Sequence, residues 1–388
     1  MTVEWLIDPL SLQGFLKDYW GKQSLHVARN NPDYFRPLFS LADLDQLLGF
    51  SFNNKNVRMA WQDHQKSQVV YDGPNKTSIC DYYDYYCEGQ TVVVQNIHLR
   101  WAPIGKLCNA LSREIGFRVG THLYATPEAS QGFGIHWDDH DIFALQLEGE
   151  KEWCLYDGPA APRKSTSFRE FKEQLIEDPG EPHQEVLLRA GDLLYFPRGV
   201  THRARANKKA SLHLTFGIYA VTWEDLLVKA LETSQDPTFS APLPPGALLE
   251  PQGMKDEGDR LGKKVVSHWK GIDSERVRSN LAADVIQSIQ PLPDGHFADL
   301  ARLESIDCQT RLCRREGMAA IYLDEGTHGR LVFPGNSIQS KSAEESEALQ
   351  YSAGRQQFQV GGLPGEDDLK VSVAKALVAT GVFRIEGL

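Results

Sequence analysis

Apolar residues recur at helical spacing over 12–20 and 41–48, the second run opening with Ser40 as an N-cap and closing at Gly49. Between them Pro32-Asp33-Tyr34-Phe35 reads as a turn. Stretches 69–71 and 91–95 are β-rich, and 102–115 carries a clear helical period. From residue 120 the period drops to two. Short alternating runs at 120–126, 143–147, 152–156, 185–188, 192–196, 202–206 and 211–219, each bounded by turn residues, predict successive strands. Such a series suits a double-sheet jelly roll of the cupin kind. Beyond Tyr219 the pattern turns helical at 223–233, passes a Pro-rich linker at 237–253, and resumes as helices at 259–272 and 273–289. The last part alternates strands 319–323, 330–334 and 357–361 with helices 342–352 and 366–380, and strand 382–385 follows them. The expected class is therefore mainly β with α, in three parts: 1–221, 222–290 and 291–388. A charged insert at 159–182, with a helical piece at 167–177, reads as a lid, a rim or a passive loop. The cluster Tyr82, Tyr83, Tyr85 and Tyr86 reads as amphipathic packing in preference to a channel wall.

Composition narrows the classes. At 388 residues with 41% hydrophobic content the chain can bury real cores. No apolar run of 18 residues occurs, and the first residues lack a basic start, so a cytoplasmic location with no membrane contact is expected. The six cysteines form no CxxC pair and read as reduced thiols. A net charge of −11 argues against sequence-specific nucleic-acid binding and suits a basic protein partner, although acidity also serves solubility alone.

The candidate chemistry lies in Gly134-Ile135-His136-Trp137-Asp138-Asp139-His140. Residues i and i+2 of a strand share a face, so His136 and Asp138 would project together. A third ligand is found in His202, which follows a Gly191-Asp192 turn, an apolar strand and a Pro197-Arg198-Gly199 bend. Two histidines and one carboxylate with other positions open match the facial triad of non-haem Fe(II) oxygenases, although Zn, Mn or Ni could take the same ligands. Asp139 and His140 read as a second layer or a substrate contact, and Asp141 as solvated.

Gln131-Gly132-Phe133, the run Leu145-Gln146-Leu147-Glu148-Gly149-Glu150-Lys151-Glu152-Trp153, Gly191 through Gly199, and Ser211-Leu212-His213-Leu214-Thr215 together resemble the JmjC-type ribosomal oxygenases. That resemblance implies a cupin-fold catalytic domain with an N-terminal helical cap, a helical dimerisation region giving a homodimer, and a winged-helix-like C-terminal domain. It implies Fe(II), 2-oxoglutarate as cosubstrate and O2, with hydroxylation of a His or Arg side chain of a ribosomal protein. Lys151 is placed like the family's lysine for the distal carboxylate of 2-oxoglutarate, and Ser211 and His213 match positions near the cosubstrate. His122 stands where close relatives carry asparagine, so it would donate to the cosubstrate, add a ligand or only pack. In the C-terminal part, Glu344, Glu345 and Glu347 oppose groove insertion into DNA and favour a scaffold. The rival readings are a tailoring hydroxylase of a free peptide or small molecule and a non-oxidative metal-binding cupin.

Overall fold

The computed structural model describes the chain except residues 51–55, 64–67, 73–77, 159–178, 235, 247, 250, 271–273, 327 and 388, together with the side chains of 61–63, 68–72 and 251–254. The helical piece expected at 167–177 lies outside the described residues. Contacts divide the chain into two compact units, Met1–Ala220 with Ile289–Asp294, and Val221–Ser288 with Gly295–Leu388.

In the first unit ten strands form an antiparallel assembly: β1 (Leu25–Val27), β2 (Val57–Asp63), β3 (Gln68–Asp72), β4 (Thr91–Val94), β5 (Arg118–Thr126), β6 (Asp141–Tyr156), β7 (Gln184–Arg189), β8 (Leu193–Phe196), β9 (Thr201–Arg205) and β10 (Ser211–Tyr219). The two strands expected at 143–147 and 152–156 are one strand, β6. Glu148-Gly149-Glu150 reads as a turn in sequence, yet here it only bends the strand, because Gly149 adopts φ 69° where the ladder to β10 ends. The first half of β6 pairs with β10 and β8, the second half with β7 and β9.

Alternation along β6 assigns its two faces. Phe143, Leu145 and Leu147 join Leu123, Leu214, Phe216, Phe15 and the apolar stripe Ile104, Leu107 and Leu111 of helix Ala102–Ile115 in the main core. Ile142, Ala144, Trp153 and Leu155 face the other way, onto Val186, Leu188, Leu194 and Phe196. Burying each large side chain contributes about 1.5 to 3 kcal/mol, so the period of two fixes which face is which. Helix Leu41–Phe50 starts where expected: Ser40 Oγ accepts from Asp43 N at 3.2 Å and Asp43 Oδ2 accepts from Ser40 N at 2.8 Å, a reciprocal cap. Tyr82 is buried in the core, with Tyr85 and Tyr86 packed against it, while Tyr83 lies exposed and donates to Asp45. Asp141 is a correction. Instead of meeting solvent it is buried, its carboxylate accepts from Tyr195 Oη at 2.6 Å, and burial pushes its pKa up.

The second unit holds helices Trp223–Glu232, Pro251–Lys270 and Ser274–Ser288, then two three-stranded sheets and helices Ala343–Ala353 and Asp367–Ala379. The helix expected at 259–272 begins at Pro251. Proline is suited to a first helical position, where its missing N–H costs nothing, so the Pro-rich stretch conceals a helix start. Where the sequence separates 222–290 from 291–388, Ala283 of helix Ser274–Ser288 buries against Leu323 and Val332 of the strands that follow. No helix among the described residues is long and apolar enough to cross a membrane.

Candidate metal centre

His136 and His202 meet across an isolated two-residue bridge, in which His136 N donates to His202 O at 3.1 Å and His202 N to His136 O at 2.7 Å. The pair His136 and Asp138 therefore does not open a regular strand; β6 begins at Asp141. The Pro-Arg-Gly bend completes the frame, because Gly199, at φ 83°, donates its N–H to Asp138 O at 2.8 Å.

Backbone carbonyls then select the imidazole tautomers. His136 Nδ1 lies 2.9 Å from Gly134 O and His202 Nδ1 3.0 Å from Val200 O. A carbonyl only accepts, so both Nδ1 atoms carry the proton and both Nε2 atoms present lone pairs. Those Nε2 atoms stand 4.0 and 3.6 Å from Asp138 Oδ2, and the three ligand atoms lie within 4.8 Å of one another. Burial lowers the His202 pKa to about 4, with His136 adding to the effect, which keeps the ring neutral. Burial raises the Asp138 pKa, but His140, His136, His202 and His122 together hold it below its ordinary value, so the carboxylate is ionised. Two imidazoles and a carboxylate fit a divalent cation of borderline softness.

The triad opens into a cavity of about 270 Å³, whose wall includes His122, Tyr124, Phe133, Lys151, Trp153 and His213. Lys151 is 4% exposed, its Nζ donates to Thr126 Oγ1 at 3.0 Å, and burial lowers its pKa to about 7. Among the described residues no carboxylate pairs with it. A buried cation facing a cavity fits the far carboxylate of a dicarboxylic acid. His213 stacks on Tyr124 at 4.8 Å and stays neutral, since burial and then Lys151 lower its pKa strongly. Ser211 is not on the cavity wall; its hydroxyl accepts from Gln146 Nε2 at 2.9 Å.

His122 reaches the cavity from β5 and accepts at Nδ1 from Asn96 N at 3.2 Å. An amide N–H only donates, so in the neutral ring the proton sits on Nε2 and His122 is a donor. Burial, with His140 and His98, lowers its pKa to about 4. Sequence reasoning missed Thr126 and the packing of Trp153 at 5.9 Å and Phe196 at 4.7 Å on His202, because contacts across strands leave no local signature.

Residues 94–226 match the JmjC domain family. The chain is 37% identical over 235 residues to the bifunctional lysine-specific demethylase and histidyl-hydroxylase NO66 of Dictyostelium discoideum, covering 58% of this chain and 44% of that protein. It is 32% identical over 280 residues to ribosomal oxygenase 1 of Danio rerio, covering 69% and 51%. The chain spans about half the length of the curated relatives it matches. A structure of the Escherichia coli ribosomal oxygenase YcfD, in complex with cobalt and 2-oxoglutarate, superposes with TM-score 0.55 at 20% identity over 98% of this chain and 99% of that one. That likeness shows the fold. Fold and site thus define a JmjC-domain protein. Residues 94–226 are a JmjC domain, and the chain around it is similar to the ribosomal oxygenases.

Proposed function

We propose that this chain is an Fe(II)- and 2-oxoglutarate-dependent dioxygenase that hydroxylates an amino-acid side chain of a ribosomal protein. The observation that carries the reading is the His136, Asp138 and His202 triad opening into one cavity with the buried cation Lys151. Fe(II), 2-oxoglutarate and O2 bound there would supply an oxidant for an unactivated C–H bond, 2-oxoglutarate losing CO2 to become succinate, with one oxygen atom entering succinate and the other the hydroxylated product. The protein's part is placement. His136, Asp138 and His202 hold the metal through Nε2, a carboxylate oxygen and Nε2. Lys151 pairs with the distal carboxylate of 2-oxoglutarate, His122 donates from Nε2–H toward the cosubstrate, and the Trp153 and Phe196 rings exclude water beside His202.

Of the two target side chains, histidine suits the lining better than arginine. Among the described lining residues Asp138 is the one carboxylate and is already committed to the metal, whereas Lys151 and several histidines crowd the same space. A guanidinium would be desolvated there without a partner. The catalytic unit is read as a double-stranded β-helix of cupin type, and the C-terminal part as a winged-helix-like scaffold, supported by Glu344, Glu345 and Glu347 on helix Ala343–Ala353. A homodimer is supported by the exposed Trp223, Leu227 and Val228 of helix Trp223–Glu232 and by Leu261, Val266 and Trp269 of helix Pro251–Lys270. A cytoplasmic location goes with this reading. Ribosomal proteins from deletion and parent strains, compared by mass spectrometry, should differ by one oxygen on one histidine. Identical masses throughout would contradict the proposal, and an oxidised arginine would contradict the choice of side chain.

A further inference from the structure

The cavity wall holds a further built-in group that is not one of the three ligands. His140 Nδ1 lies 2.9 Å from Asp139 Oδ1, the ring stacks on Tyr219 at 4.6 Å and 30°, and the Arg118 guanidinium lies over the Tyr219 ring at 3.9 Å from its centroid. The ring rests on Gly217 of β10, where an added Cβ would come within 2.5 Å of His140 Cδ2 and 2.8 Å of Nε2. Gly217 is registered against Gly120 of β5, so two bare backbones lie side by side beneath it. The side chain is 16% exposed, it lines the cavity, and its Nε2 makes no hydrogen bond among the described residues. A carboxylate that orients Nδ1 and leaves Nε2 open to a cavity is the arrangement by which a histidine contacts a ligand.

We propose that His140, oriented by Asp139 and seated on Gly217, is a specificity-determining residue whose Nε2 hydrogen-bonds a polar group of the residue being oxidised. This rests on the hydroxylase reading above. Its place follows from three constraints: Asp139 fixes which nitrogen faces in, Tyr219 fixes the ring plane, and the missing Cβ at Gly217 fixes its depth. None of these serves the metal, whose ligands are held by Gly134 O and Val200 O.

The test uses the full chain with Fe(II), 2-oxoglutarate and ribosomal proteins stripped from a strain lacking this protein, following succinate and oxygen incorporation. For His140→Ala, KM for the protein fraction should rise about tenfold to a hundredfold, the weight of one hydrogen bond to a polar or charged partner, with kcat at saturation falling much less. His140→Gln, whose amide reaches the place of Nε2, should recover much of the loss. Gly217→Ala, which displaces the ring while leaving its chemistry intact, should raise KM in the same direction. A parent-like KM in His140→Ala, or His140→Gln no better than His140→Ala, overturns the inference and leaves the hydroxylase reading standing. Absence of stimulated succinate release in the parent protein overturns the hydroxylase reading, and this inference with it.

Discussion

Gly134 O and Val200 O decide which nitrogens of His136 and His202 can bind a metal, and Lys151 decides how the cavity is charged. Removing the Lys151 ammonium strands a carboxylate in a desolvated place, which typically costs about 2 to 5 kcal/mol. Lys151→Ala should thus weaken 2-oxoglutarate binding roughly 30-fold to a few thousand-fold, and Lys151→Arg should recover part, since guanidinium reach and geometry differ. Titration of 2-oxoglutarate at saturating iron checks both. A pH effect accompanies this. With the free-protein pKa of Lys151 lowered to about 7, the ammonium is mostly neutral at higher pH, whereas pairing with a carboxylate requires it charged. Binding between pH about 7 and about 10 should therefore take up a proton and weaken as pH rises. Calorimetry in two buffers of different ionisation heat would show the uptake in the parent and lose it in Lys151→Ala. At this scale the convergence of His136, Asp138 and His202 was legible, because a two-residue spacing and one distant histidine after a bend are local patterns. Asp141 was not, because its burial depends on Tyr195, a residue on another strand that happens to face it.

β6 is the element on which the site depends, since it pairs on one half with β10 and β8 and on the other with β7 and β9. Its bend rests on Gly149, where φ is 69° and a Cβ would fall 1.8 Å from Ala210 O. Gly149→Ala should cost at least about 2 kcal/mol from backbone strain and clash together, read as a lower midpoint in urea unfolding. An unchanged midpoint would show that β10 can yield there. The alternating strands, the N-cap at Ser40 and helix Ala102–Ile115 could be read in advance, because each is a local pattern. The continuity of β6 could not, since Glu148-Gly149-Glu150 has turn composition and only its ladder partners show that the strand runs on.

On the whole-molecule scale the described chain divides into two units, and the apolar residues Trp223, 81% exposed, and Val266, 58% exposed, lie on helices of the second. If a second copy covers them, light scattering at micromolar concentration should give a dimer mass, and Val266→Glu should shift it to monomer, since an unpaired charge in a desolvated seam is costly. A concentration-independent monomer in the parent would remove that proposal. The helical character of this region was legible from its period, but its packing on the strands at Leu323 and Val332 was not, because that depends on residues distant in sequence. The central claim is that His136, Asp138 and His202 form a working iron centre for 2-oxoglutarate turnover. Its most direct test is succinate release from 2-oxoglutarate by the full chain with Fe(II), set beside Asp138→Ala and iron retention after desalting. The account predicts Fe(II)-dependent succinate in the parent, none in Asp138→Ala, and iron lost with the carboxylate; undiminished succinate release in Asp138→Ala would contradict it.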